Sequence, residues 1–471
     1  MRKLRVSSNT EIDEIFKSSE DKTAEEVASE NNKLKEALSA SKRESKMDPD
    51  VLAKLAAKSE KKEDKQEEEV PKVIDTKAVS INIGVIGVGQ AGSRIAEEFH
   101  KRGYDAGVIN TSSQDLEFIN MLPGQKLLLE GSLGGTGKDL DLGRDIFDAS
   151  SQEIDTFSDK VLEGNDMAFL AISGGGGTGS SSVDVMVNIL FNTGMPLGVI
   201  FVLPKATEDA KSKRNAIETL SRLARMAADD MISSLVVVDN ARIEAIYSGL
   251  SQSKFWETAN SAIVEPIHLF NSLTAQASRH TSLDPSDFGK VISAGDCSVY
   301  GVIEVEDYME ETALAEAVIE SLSGNMLADG FDLSQTRVGG VIITGSEEAI
   351  ANLPAINLDY AFHIVSEKTN GASIYQGIYT DESVDGIKIY SWFAGLGLPV
   401  DRIENLKRES KEQAAVMAAK EKTRGASMTL DLEEDKTTSV TEKIHNKISK
   451  KKSGFNKLQG TKKSIIDRRR K

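Results

Sequence analysis

A chain of 471 residues is long enough for two medium-sized domains with cores of their own. Its formal net charge of −17 argues against nucleic-acid binding by the protein as a whole, and its single cysteine, Cys297, excludes an intramolecular disulfide framework. Cys297 and five scattered histidines supply no structural zinc set; no run of about 18 apolar residues marks a membrane span, the N-terminus lacks a signal peptide's apolar core, and a cytoplasmic protein is expected.

Residues 1–79 hold few large apolar side chains and long charge runs such as Lys58-Ser-Glu-Lys-Lys-Glu-Asp-Lys-Gln-Glu-Glu-Glu-Val70. Helix formers occur between Glu11 and Ala40, but such a composition cannot bury enough surface to offset chain entropy, so a disordered, charged extension is expected. A regular pattern begins at Val79. Ser80–Ile86 reads as a strand, Gly87-Val-Gly-Gln-Ala-Gly92 as a turn and Ser93–Lys101 as a helix. Further apolar strands follow at Asp105–Ile109, Lys126–Leu129, Met167–Ile172, Leu197–Leu203 and Ser234–Asp239, with helices between them. Continuous apolar strands alternating with helices predict an α/β fold built on an open, mainly parallel sheet.

The stretch Ser173-Gly-Gly-Gly-Gly-Thr-Gly-Ser-Ser181 organises the rest. Four consecutive glycines between a core strand and a core helix are costly in chain entropy. They suit a backbone that must come within hydrogen-bonding distance of a bulky anion, for which N–H groups at a helix N-terminus are ready donors. Two familiar nucleotide motifs fit poorly. Gly87, Gly89 and Gly92 form GxGxxG, but the carboxylate expected ~20 residues on is replaced by Asn110-Thr-Ser-Ser113. A P-loop would need an earlier glycine and a hydroxyl after Lys138, where Asp139 stands.

In this order the motifs resemble those of the tubulin/FtsZ superfamily of GTPases, over roughly Ile81 to Pro399. The resemblance implies a parallel-sheet GTP-binding domain (80–253), a long central helix (254–281), a smaller α/β C-terminal domain (282–400), a C-terminal helix (401–430) and a basic disordered tail (431–471). Gly89, Gln90, Ala91, Gly92 and Arg94 look like its first phosphate loop, and Asn110 its second. Gly134, Gly135, Thr136 and Gly137, within Leu133–Asp139, look like its γ-phosphate-sensing loop. Gly175, Gly176, Gly177, Thr178, Gly179 and Ser180 are similar to the signature loop. Glu208 and Arg214 stand near the sugar-contacting position, and Asn240 and Asn260 where the family grips guanine, although either Asn alone could equally be a helix cap or turn. GTP or GDP is the implied ligand, with Mg2+ accompanying it; no metal ligands are assigned.

Lys254 to Arg279 reads as one apolar-striped helix with an awkward Pro266. After it, Thr281-Ser-Leu-Asp284-Pro-Ser-Asp287 resembles the loop that one subunit inserts over its neighbour's nucleotide. By that resemblance Asp284 and Asp287 are the catalytic pair, aligning the attacking water; the plain alternative is that one of them only caps the next helix. Ser282 replaces the family's usual Asn. Strands are predicted at Ser298–Ile303, Gly339–Thr344, Ala361–Val365 and Gly386–Ala394, flanking a helix at Glu311–Ser323. A charged helix from Asp401 to Lys422 and a basic terminus, Lys443–Lys471, match the layout of the TubZ and phage-tubulin group more than FtsZ. A head-to-tail homopolymer is implied. Plasmid or phage DNA segregation or positioning, through direct DNA contact or a DNA-bound adaptor, is the expected task, with a division-type or scaffold polymer of weak hydrolysis as the alternative.

Overall fold

The computed structural model describes residues 79–428 except 132–133, 306 and 385. The expectations for the N-terminal extension up to residue 78 and for the basic tail lie outside the described residues. Ten strands form one sheet: β1 (Ile83–Val88), β2 (Asp105–Asn110), β3 (Lys126–Leu128), β4 (Met167–Ser173), β5 (Leu197–Leu203), β6 (Ser234–Asp239), β7 (Cys297–Val305), β8 (Val338–Gly345), β9 (Ser373–Thr380) and β10 (Ile387–Leu396). Their order is β3-β2-β1-β4-β5-β6-β7-β10-β8-β9. From β3 to β7 every pairing is parallel; β10 lies antiparallel between β7 and β8. Every residue of β1, β5 and β6 is buried, which is why these strands read as unbroken apolar runs instead of alternating ones.

Strand order reverses between β1 and β4, which pair in register from Ile83↔Met167 to Gly87↔Ala171. Their carboxyl ends therefore emerge side by side and feed the two glycine turns into the same crevice, the place where open parallel sheets bind ligands. The two halves of the sheet meet at a narrow seam, Leu235↔Cys297 and Val236↔Ser298, closed by a buried 2.9 Å hydrogen bond between Ser234 and Ser298 hydroxyls.

The central helix, Gln252–Leu273, packs against the helix Gly89–Lys101 that follows β1. Asn271 is fully buried on it and acts as a clasp. Its side-chain oxygen accepts from the Ile81 amide (2.8 Å) and the Ser80 hydroxyl (2.9 Å); its nitrogen donates to the Ile81 carbonyl (2.8 Å) and Tyr104 (3.2 Å). One turn earlier, His268 Nδ1 shares a 3.1 Å hydrogen bond with the same Tyr104 hydroxyl. Further along, Phe270, Phe288, Tyr300 and Trp392 pack ring against ring, with centroids 5.0–5.8 Å apart.

Two sequence expectations are corrected. The helix stops at Leu273, short of Arg279: the Thr274 hydroxyl turns back to the Phe270 carbonyl (2.8 Å), and the chain then runs along β9, where the Ile378 amide donates to the Thr281 carbonyl at 2.8 Å. Pro266 does not break it, because buried Ile263, Val264, Ile267 and Phe270 hold the turns on either side. Ala361–Val365 is helical, within Ala355–Lys368, whose buried Asn357, Ala361 and Val365 recur every fourth residue. The strand missed there is β9. The last helix is Val400–Met428; beyond Ala414 the chain forms a separate unit, in whose described part Val416 and Met417 are exposed.

Candidate nucleotide site

A cleft of about 450 Å³ opens at the carboxyl ends of β1, β4 and β5, within the size range of small-ligand sites. Five glycine-bearing or turn segments converge on it, and sterics explain the composition of the glycine turns. Gly89 has a φ of +73°, a left-handed conformation that favours glycine, and a Cβ on it would lie 3.2 Å from the Gly179 amide nitrogen. None of Gly174 to Gly177 has a positive φ; close approach fixes Gly174, Gly175 and Gly177 instead. A Cβ on Gly177 would overlap Thr136 Oγ1 and stand 3.0 Å from the Lys138 backbone, while one on Gly175 would lie 2.8 Å from Glu208 Oε2. The Gly134–Gly137 turn is the reverse case: Gly134, Gly135 and Gly137 all have positive φ, and a Cβ on Gly134 or Gly137 would meet open space.

Polar side chains lock these turns. Ser180 donates to the Gly174 carbonyl (2.7 Å), and Thr111 and Thr178 share a 2.8 Å hydroxyl bond. Buried Asn110 accepts from the amides of Thr111 (2.8 Å) and Ser112 (3.2 Å). Glu208 accepts from the Lys205 amide at 3.0 Å. Among the described residues, the basic side chains lining the cleft are Lys138 and Lys205. Lys205 Nζ lies 4.5 Å from the centre of the Trp256 ring and 2.7 Å from Glu244. Lys138, itself at φ +62°, donates to Asp209 (2.6 Å) and to the Ser212 hydroxyl (2.7 Å). That ammonium holds the Asp209 carboxyl down to about 2.

Residues 82–248 match the family model described as the GTPase domain of the tubulin/FtsZ family, and residues 270–407 match that of the TubZ-like C-terminal domain. The chain belongs to the tubulin/FtsZ family. Among curated tubulin-like proteins, CetZ of Pyrococcus horikoshii is 28% identical over 350 residues, covering 72% of this chain and 92% of CetZ. TubZ of Bacillus cereus is 24% identical over 376 residues, covering 71% and 85%. A GTPγS-form protofilament of Bacillus thuringiensis serovar israelensis TubZ shares the fold with a TM-score of 0.66, 19% identity and coverage of 75% and 96%. A GTPγS-bound CetZ2 protofilament from Haloferax volcanii aligns with a TM-score of 0.59 and 21% identity, covering 72% of this chain and 100% of that one.

Of the site residues expected from this tubulin/FtsZ resemblance, Gly89, Gln90, Ala91, Gly134, Gly135, Thr136, Gly137, Gly175, Gly176, Gly177, Thr178, Gly179, Glu208 and Asn240 line the cleft. Gly92, Asn110 and Ser180 stand behind it; a Cβ on Gly92 would collide with the Ala171 carbonyl, so this glycine lets the helix sit on the sheet. Arg94 lies 5.8 Å from the centre of the Trp256 ring, and Asn260 is buried on the central helix without lining the cleft. Arg214 faces outward beside Ile217, Glu218 and Arg222; the inward position on that helix is Lys213, whose ammonium donates to the Ala206 carbonyl at 2.8 Å. Asp284 and Asp287 do not line the cleft of their own chain. Asp284 is the N-cap of the helix Pro285–Ile292, accepting from the Asp287 amide at 2.9 Å, and Asp287 pairs with Lys290 at 2.8 Å.

Sequence reasoning missed Trp256 as a cleft residue; Ser112, Asp115, Lys138 and Lys205 lie within loops it marked without being singled out. Trp256 carried a usable signal: it precedes Asn260 by one helical turn, so the two share a face of the helix. Among the described residues, no group of three or more His, Cys, Asp or Glu could hold a metal ion.

Proposed function

We propose that the chain binds and hydrolyses GTP and assembles head to tail into filaments that segregate or position plasmid or phage DNA. What supports the reading is the meeting of glycine turns from β1 and β4 in one cleft that Trp256 also lines. Backbone amides at a helix start suit phosphates, and a flat ring suits a purine. Asn240 is assigned to guanine, Glu208 to the sugar, and Asp284 with Asp287 to the water at the next subunit's γ-phosphate; Asn260 and Arg214, which do not line the cleft, take no part in this reading. A composite site makes assembly the trigger of hydrolysis, since Asp284 and Asp287 do not line the cleft of their own chain.

A second reading, a division-type or scaffold polymer with weak hydrolysis, is favoured by the partners these acids already have. Asp284 is occupied as a helix cap and Asp287 by Lys290, and Ser282 is engaged with the Ser278 amide at 3.1 Å. Sedimentation with GTP against GDP tests assembly; no GTP-dependent pellet at high protein concentration would remove the filament claim. Phosphate release from wild type and Asp287→Ala separates the readings, because equal rates would leave Asp287 without a chemical role. For the DNA-facing role, salt-sensitive binding of a DNA duplex by the full chain is expected to be lost when residues 436–471 are deleted.

A further inference from the structure

The last helix reaches the nucleotide cleft from behind. We infer that Arg402, in its first turn, is a positioning residue for the nucleotide's base, holding Asn240 in place through Asp239. This rests on the reading of the cleft as a guanine-nucleotide site with Asn240 at the base.

Asn240 is weakly held by its own element. It opens the helix Asn240–Ile246, seven residues with one buried side chain, Ile243, too short to be stable alone. What fixes the start of that helix is Asp239, the last residue of β6. Its amide donates to the Met326 carbonyl (3.0 Å), and its Oδ1 caps the helix by accepting from the Ala241 amide (3.0 Å). Arg402 grips the same carboxylate with two nitrogens: Nε donates to Oδ2 at 2.5 Å and Nη2 to Oδ1 at 3.3 Å. Neither Asp239 nor Arg402 lines the cleft, so the pair acts on Asn240 and not on the ligand.

The linkage continues to a second cleft loop. Arg402 Nη1 donates to Glu409 at 3.1 Å, and the other Glu409 oxygen stands 2.9 Å from the ammonium of buried Lys213. Lys213 donates to the Ala206 carbonyl (2.8 Å), to which Gln413 also donates (3.4 Å). Ala206 lies in the loop whose Pro204, Lys205 and Glu208 line the cleft. A row of alternating charges thus ties the loop after β5 to the loop after β6 through the last helix. Buried ion pairs are poor stabilisers, because desolvation offsets their attraction. What a two-point guanidinium–carboxylate contact supplies is a fixed orientation, while Ile403 and Leu406, both 1% exposed, seat the helix.

The test is competition titration of the full chain with GDP and ADP. Asn240→Ala sets the scale: the preference for GDP should fall at least about 10-fold, the loss of one hydrogen bond to the base. Arg402→Met combined with Asp239→Asn removes both charges of the pair and keeps a good helix cap. It should lower the preference by a similar factor, and by no more when Asn240→Ala is added. Arg402→Lys keeps the charge without the fork and should lower the preference part-way, which keeps the test open even where the double variant does not fold. A merely structural role would weaken GDP and ADP equally. That result, or an unchanged preference in the Arg402 variants while Asn240→Ala lowers it, would overturn this inference alone. An Asn240→Ala preference equal to wild type would overturn the assignment of Asn240 and this inference with it. Wild type binding neither nucleotide, or both alike, would overturn the guanine-nucleotide reading as well.

Discussion

Gly177→Ala tests the convergence of turns on which the site depends, and it can be read without any ligand. Gly177 has φ −87° and ψ −50°, a helical conformation that alanine adopts freely, so backbone strain is not the issue. The obstacle is steric: the new methyl overlaps Thr136 Oγ1 and lies 3.0 Å from the N and Cα of Lys138, both inside ordinary contact. A threonine rotamer change can clear the hydroxyl but not the backbone. Overpacking of this kind costs about 1–3 kcal/mol, against about 0.4–1 kcal/mol gained by restricting the unfolded chain, leaving a net loss near 1–2 kcal/mol. Gly176 is the internal control. Its nearest neighbour to a new Cβ is Ser173 Oγ at 3.9 Å and its φ is not positive, so Gly176→Ala should be neutral or slightly stabilising. Urea unfolding of the two variants measures the difference, and Thr136→Ala should recover part of the Gly177→Ala loss. Equal midpoints for Gly176→Ala and Gly177→Ala would refute the packing argument.

Asn271→Ala removes an amide that makes four hydrogen bonds in the core; about 3 kcal/mol should be lost in chemical denaturation, and a loss below 1 kcal/mol would contradict the clasp. Arg402, nearly buried, donates to Asp239 at 2.5 and 3.3 Å and to Glu409 at 3.1 Å, so Arg402→Met should cost about 3–5 kcal/mol by stranding the Asp239 carboxylate, and adding Asp239→Asn should return part of it. Burial, then the charge of Arg102, lowers the pKa of His268, so the folded state prefers the neutral ring. The unfolded chain takes up the proton first; stability should therefore fall as pH drops below about 6.5, a slope that His268→Gln should reduce when midpoints are compared between pH 7.5 and 5.5.

The nucleotide half was legible because its signals are local. Glycine runs after apolar strands announce turns that approach a ligand, and β1, β4, β5 and β6 are buried on both faces, so their sequences are apolar but for Ser173, Ser234 and Asp239 at strand ends. Arg214 shows where that legibility ends. Arg214 and Lys213 are neighbours in sequence but about 100° apart around the helix, and only packing against the Ala206 loop decides which one turns inward. Ala361–Val365 was misread for a related reason: a five-residue apolar run fits a strand or a helix until its burial period is seen.

The sequence by itself determined that this chain is an α/β protein with glycine turns after its core strands, since strand burial and turn chemistry are written within a few residues of each other. Only the tertiary structure decided which turns touch. Gly177 meets Thr136 and Lys138 across about 40 residues of chain because β1 lies beside β4 and the intervening segment must return to the same edge. The same holds for the hydrogen bond from Lys138 to Asp209: a contact between distant residues has no local signature, and it exists only once the sheet order has brought both loops to one end of the strands.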